Sequence, residues 1–184
     1  MIDESGLLMA PLVRRTWAPQ GKTPKLAQRG GTHEKVSAAA AVWLSPSRDR
    51  LGLFARTLVN DSFDNWSSAA FLEALLKELP GRVVVIWDGG SMHKGDPIDQ
   101  LQDLMADRLC LEKFPPYSPQ LSPVEPVWSW LKYSRLCNFA PQDAIELDGH
   151  VVAEVSSIRD DQELLRGFWH ASDLPLPRPL TLLS

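Results

Sequence analysis

The sequence predicts an α/β fold in which a three-stranded antiparallel meander and two parallel strands form a mixed sheet flanked by helices. Three observations carry this expectation. The N-terminal third holds three strand-like runs, helix-patterned and strand-patterned segments alternate after it, and "RVVVIW" at 82–87 is a continuous β-branched apolar run of the parallel-strand type.

In chain order, a first strand is expected from Met1 to about Met9, and "RTWAPQGKTPKLAQRGG" at 15–31 reads as a short extended piece followed by a polar Gly/Pro loop. "KVSAAAAVWL" and "RLGLFARTLV" are two strands joined by the turn-rich "SPSRD", which completes the meander. From Trp66 to Leu79, Leu72, Leu75, Leu76 and Leu79 recur at helical spacing, and "PG" closes the helix. The strand "RVVVIWD" then ends at Asp88 before Gly-Gly, and its unbroken apolar run predicts a central parallel strand covered on both faces. A helix from about Asp96 to Arg108 and a short strand "LCLEKF" follow. Beyond them Val124, Val127, Trp128 and Leu131 form one buried helical stripe, with further helices over Pro141 to Ile158 and Asp160 to His170. The expected domain is 1–170, and 171–184 is a Pro-rich extended tail. Ser122-Pro123-Val124-Glu125 spells a capping box with proline at the first helical position.

With 184 residues, 44% hydrophobic and 23% charged, the chain has the composition of one ordinary globular domain. Its longest apolar stretches are less than half a membrane span, and the N-terminus has no signal-peptide pattern, so a cytoplasmic location is expected. Cys110 and Cys137 lack metal-ligand or redox spacing and read as reduced, buried thiols. The net charge of −4 is unevenly placed. Residues 1–60 carry nine Lys or Arg against four acids, and the remainder carries ten against nineteen. The basic N-terminal third, with Arg14, Arg15, Lys22, Lys25, Arg29 and Lys35, is the part suited to phosphate contacts.

The carboxylates fall in a telling order. Asp3 lies on the first strand, Asp88 at the end of the strand after the first helix, and Glu125 at the start of a later helix. In a mixed sheet of this topology the first strand and the post-helix strand are adjacent and parallel, so their ends bring Asp3 and Asp88 together where α/β sheets place ligands. Glu4 competes with Asp3 on chemistry alone. Strand alternation sends the two side chains to opposite faces, so only one is expected to join the site.

The blocks "DES" at 3–5, "WDGGSMHK" at 87–94 and "PPYSPQLSPVEPVWSWLK" at 115–132 resemble the signature blocks of DDE transposases of the mariner superfamily, especially its bacterial insertion-sequence branch. "RRTWAPQGKTP" at 14–24 is similar to another block of that branch, and the resemblance covers about residues 1–170. It implies a ribonuclease H-like fold, with Asp3, Asp88 and Glu125 as catalytic residues and metal ligands. It also implies DNA as partner (transposon ends and target, typically TA) and a dimer when active. Two divalent cations, Mg²⁺ or Mn²⁺, suit three oxygen ligands and in-line phosphodiester displacement, and either Asp3 or Asp88 could bridge them. His93 and Lys94 are candidates for contact with the scissile phosphate or a water near it. Arg14, Arg15, Trp17 and Lys22 are candidates for DNA contact. A stripe position assigns Trp128 to the core.

Mariner-type transposases carry an N-terminal helix-turn-helix region, and this sequence starts two residues before Asp3. The expectations are a second reading frame paired with a separate helix-turn-helix polypeptide, a truncated remnant, or a catalytic domain alone, acting in the cytoplasm in association with the nucleoid. Two alternative functions stand beside the transposase: a catalytically silent DNA-binding or dimer-forming remnant, and a ribonuclease H-like nuclease acting on hybrids or junctions.

Overall fold

A computed structural model describes residues 1–10, 12–26, 34–115 and 118–175. Strand β1 (Ile2–Leu8) pairs antiparallel with β2 (Lys35–Leu44), which pairs antiparallel with β3 (Leu51–Val59), so the meander has the order β1-β2-β3. Asp3 stands opposite Ala40 in this register, and Ala40 opposite Ala55. The alanine run of β2 has a physical reason. Ala38 and Ala40 face one core with Leu7, Val36 and Leu53, while Ala39 and Ala41 face a second with Ile2, Phe71 and Leu72. A central strand packed on both faces is most easily approached by both layers when its side chains are small.

Helix α1 (Asn65–Glu78) starts at Asp64, whose carboxylate accepts from Ser67 N while Ser67 Oγ accepts from Asp64 N, a complete capping box. Its Phe71, Leu72, Leu75 and Leu76 are buried against Ala39, Ala41 and Val85. β4 (Val83–Trp87) is parallel to β5 (Leu109–Lys113), with Val85 opposite Leu111, and α2 (Asp96–Leu104) forms the crossover between them. α2 ends four residues before the expected Arg108. That arginine serves α1 instead, donating from Nη2 to the carbonyls of Leu76 and Leu79 at 2.9 and 2.7 Å. α3 (Glu125–Trp130) continues into a π-helical turn at Leu131–Arg135. α4 (Ala144–Ile158) and α5 (Gln162–His170) complete the layer opposite α1, each started by an aspartate, Asp143 and Asp161. Ser172 is buried and Trp169 Nε1 donates to Pro175 O at 2.9 Å, so the chain stays attached beyond α5; Leu176–Ser184 lie outside the described residues.

Three expectations are corrected. The strands form two sheets rather than one, because β1 and β4 come within contact distance but share no ladder among the described residues. β1 begins at Ile2 opposite Ala41, so Trp43 and Leu44 of β2 extend past it, and a cleft of about 830 Å³ opens between this overhang and β4. β4 is consequently not covered on both faces, and Val84 is 61% exposed. Val83 N and Trp87 O bond toward β5, which by strand alternation turns the polar groups of Val84 and Ile86 toward the cleft. The thiol expectation also changes: Cys110 and Cys137 are free, but Cys110 is exposed and Cys137 only partly buried. Among the described residues no helix is long and apolar enough to cross a membrane.

Candidate active site

Three consecutive residues of β1 reach three different elements. Asp3 Oδ2 accepts from Trp128 Nε1 of α3 at 3.0 Å, Glu4 Oε1 accepts from His93 Nε2 at 2.9 Å, and Ser5 Oγ accepts from Lys132 Nζ at 2.6 Å. Alternation holds as expected, since Asp3 and Ser5 turn to the helix and Glu4 turns away. Turned away, Glu4 reaches the loop after β4 through His93. Asp3, Glu4 and Ser5 line one polar cavity of about 260 Å³ together with Glu125, Trp128 and Lys132. Glu125, Trp128 and Lys132 fall at i, i+3 and i+7, so this helical segment offers one polar edge to the cavity beside its buried stripe. That stripe is as read: Val124, Val127, Trp128 and Leu131 are all buried. Trp128 belongs to the core and also holds Asp3.

Asp88 follows β4 and is placed otherwise. Its side chain is 66% exposed, and Oδ1 accepts from Gly90 N at 2.8 Å. The same oxygen lies 2.8 Å from His93 Nδ1, and that nitrogen is also 3.1 Å from Asp88 O. A Cβ at Gly90 would sit 2.9 Å from Asp88 Oδ1, so a side chain there would displace this carboxylate. His93 itself is buried, its side chain 2% exposed, and its ring stacks on Trp87 at 4.2 Å between centroids and 11° between planes. Both ring nitrogens are therefore occupied by protein groups.

Glu125 is exposed and does not form the expected capping box. Ser122 N, the donor that box would satisfy, already donates to Pro119 O at 2.9 Å in the preceding 3₁₀ turn, and α3 starts from Val124 with no side-chain cap. Of the basic candidates, Arg14 is engaged within the protein: Nη1 donates to Tyr133 O at 2.7 Å, and its backbone N to Asn138 Oδ1 at 2.8 Å. Arg15, Lys22 and Lys94 are exposed, and Trp17 is 99% exposed on the same non-regular stretch as Arg15 and Lys22.

The electrostatics are those of crowded carboxylates. Burial, then Glu125, then Glu4 push the Asp3 carboxyl up to about 6, against the lowering by the Trp128 hydrogen bond. For His93, burial opposes protonation, but Glu4 and Asp88 outweigh it and the net shift is upward. Both of its partners are acceptors, which the doubly protonated ring satisfies. Hard oxygen donors whose charges repel one another around a polar cavity are the donor chemistry that Mg²⁺ or Mn²⁺ takes. Among the described residues, however, no three His, Cys, Asp or Glu side chains converge on one point to hold an ion. Asp88 in particular is turned to Gly90 and His93 and does not line the cavity with Asp3 and Glu125.

The family of DDE superfamily endonucleases matches residues 1–148. The chain belongs to this family. No curated protein matches it. Its fold is similar to that of solved Mos1 transposase structures: the paired-end complex with left transposon end (13% identity, TM-score 0.61), the strand transfer complex (15%, 0.62) and the mariner paired end complex with Mg (14%, 0.63). Each similarity covers 92% of this chain and 49–50% of the other, so the chain spans about half the length of those proteins. The ribonuclease H-like architecture expected from the resemblance is the fold of this DDE endonuclease domain. Sequence reasoning set Glu4 aside, assigned Trp128 to packing and did not single out Lys132, all three of which line the candidate cavity. The signals were present in the unbroken polar triplet at 3–5 and in Lys132 standing one helical turn after Trp128.

Proposed function

We propose that this DDE endonuclease domain is the catalytic part of an insertion-sequence transposase of the mariner superfamily. It would hydrolyse phosphodiesters at transposon ends and transfer the freed 3′ hydroxyl into target DNA, typically at TA. The observation that supports this best is the meeting of Asp3 from β1 and Glu125 from α3 in one polar cavity, with Glu4 tied to the loop that carries Asp88. Asp3, Asp88 and Glu125 are the residues that would hold two Mg²⁺ or Mn²⁺ ions. Bound there, such ions supply activation of the attacking oxygen and charge stabilisation of the leaving one.

The chain's own residues do the rest. Trp128 Nε1 fixes the Asp3 carboxylate against β1, while burial and the neighbouring Glu125 and Glu4 raise its affinity for a proton. Lys132, held by Ser5 at the cavity wall, offers a positive charge to a DNA phosphate. Asp88, exposed after β4 and held by the Gly90 amide and His93, would complete the set. Trp17, Arg15 and Lys22 supply an exposed basic and aromatic stretch suited to the DNA backbone. Activity in the cytoplasm beside the nucleoid, a dimer and a separate helix-turn-helix polypeptide belong to the same proposal.

The test is nicking of DNA carrying the element's terminal repeats in the presence of Mn²⁺. Wild type should cut at the repeat ends, and Asp3→Ala, Asp88→Ala and Glu125→Ala should each lose at least about 100-fold, the scale at which loss of an electrostatic transition-state contact is felt. Equal cutting by wild type and Asp88→Ala would overturn the assignment. A wild type that binds the DNA yet never cuts would favour the silent remnant.

A further inference from the structure

The backbone does not hold Asp3 and Asp88 in register. Asp3 belongs to the meander, Asp88 follows a strand of the other sheet, and no ladder joins β1 to β4 among the described residues. A catalytic pair drawn from both strands therefore needs another fastening. Within the described hydrogen bonds, the one side-chain link from β1 to the loop after β4 is Glu4 to His93.

Resting on the function proposed above, we infer that Glu4 is a positioning residue which, through His93, fixes the Asp88 loop against β1. The geometry is that of a rigid brace. Glu4 Oε1 meets His93 Nε2 at 2.9 Å, and on the far side of the ring Nδ1 lies 2.8 Å from Asp88 Oδ1 and 3.1 Å from Asp88 O. The ring cannot turn freely, because it lies flat against Trp87, which is itself buried in the core beneath β4. Glu4 is covalently next to Asp3, so the brace runs from the neighbour of one carboxylate to the other carboxylate itself.

An ordinary buried histidine needs only two acceptors, and backbone carbonyls would serve. This one contacts two carboxylates from separate sheets and contributes nothing to either ladder. Partners of metal-ligating side chains act in this way, orienting a ligand without touching the ion, and their loss typically costs ~10–100-fold in metal affinity. The residue types are specific as well: a glutamate spans from β1 to the ring where an aspartate is one methylene short, and an amide oxygen can still accept the same bond.

The experiment is calorimetric titration of the full chain with Mn²⁺, alongside hydrogen exchange at the Gly90 amide in EDTA. Glu4→Ala should weaken Mn²⁺ binding by about 10–100-fold, Glu4→Gln should stay within about threefold, and Glu4→Ala combined with His93→Ala should be no worse than either alone, as for members of one coupled unit. Loss in Glu4→Gln equal to that in Glu4→Ala would show Glu4 to be a ligand rather than a brace, and wild-type affinity in Glu4→Ala would overturn the inference. So would multiplicative losses in the double variant. If wild type binds no Mn²⁺, the proposed function fails and exchange still decides this inference. Gly90 N donates to Asp88 Oδ1, so faster Gly90 exchange in Glu4→Ala but not in Glu4→Gln supports the brace, and equal exchange in all three removes it.

Discussion

Replacing Asp3 by Asn should stabilise the metal-free protein, although it removes a proposed catalytic carboxylate. Asp3 is partly buried beside Glu125 and Glu4, and its pKa rises from 3.8 to about 6. A shift of that size corresponds to about 3 kcal/mol, which partial hydration of the site reduces to about 2 kcal/mol. Between pH 3.8 and 6 the native state binds the Asp3 proton and the unfolded state does not, so wild-type stability falls as pH rises through this window. Asn has no proton to lose and can still accept from Trp128 Nε1. The advantage of Asp3→Asn should therefore be absent near pH 3.5, grow to about pH 6 and stay level above it. For a chain of this length it should reach ~4–8 °C in Tm. The buried Met1 amine, lowered to about 5 by desolvation, makes stability rise with pH between 5 and 8; it is common to both proteins and cancels in the comparison. The assay is thermal denaturation of both proteins in EDTA at half-unit pH steps. Adding Mn²⁺ at 100 times its Kd should then restore about 2.7 kcal/mol to wild type and much less to the variant. Melting curves that stay parallel from pH 3.5 to 8 would refute the reasoning, because Asp3 would then titrate alike in the folded and unfolded states.

Three other outcomes follow from the same geometry. Gly90→Ala, whose Cβ would stand 2.9 Å from Asp88 Oδ1, should displace that carboxylate and cut nicking by at least about tenfold, with stability changed by less than about 1 kcal/mol in chemical denaturation. Trp128→Phe removes the donor to Asp3 and part of a buried ring system, costing about 2–3 kcal/mol at pH 7 by the same denaturation measurement. Arg15→Ala and Lys22→Ala should each lower the slope of log K against log salt by about one in DNA-binding titrations between 50 and 200 mM salt.

What was legible in the sequence follows from how local each determinant is. The meander, α1 and α5 could be read because periodicity and turn residues act over a few positions, and the buried stripe of α3 could be read for the same reason. The missing β1–β4 ladder could not: "VVVIW" looks alike whether it has one ladder partner or two, and the difference lies in how far β1 extends beside it. Arg108 shows the same limit. Helical continuity places it at the end of α2, whereas the carbonyls it serves belong to α1, about thirty residues earlier in the chain. For the site, the carboxylates were visible as types in order. The partner of each was visible only in part, since Trp128 and Glu4 meet theirs across 125 and 89 residues.

Glu125 shows how a correct local rule can give the wrong assignment. Ser122-Pro123-Val124-Glu125 satisfies the capping-box pattern, and a box would have turned the glutamate back onto Ser122 N. The 3₁₀ turn at Pro119–Leu121 takes that donor first, by way of Pro119 O. Helix α3 then starts two residues later than a box would start it, and Pro126 in its first turn has no N–H to be satisfied. With fewer orphan donors at the helix start, Glu125 has no backbone group to serve. Its carboxylate is left exposed at the cavity that Asp3 lines, where the raised Asp3 pKa records its charge. The proline-rich approach that looks like a device for starting a helix thus has a second effect: it keeps the glutamate available for the site.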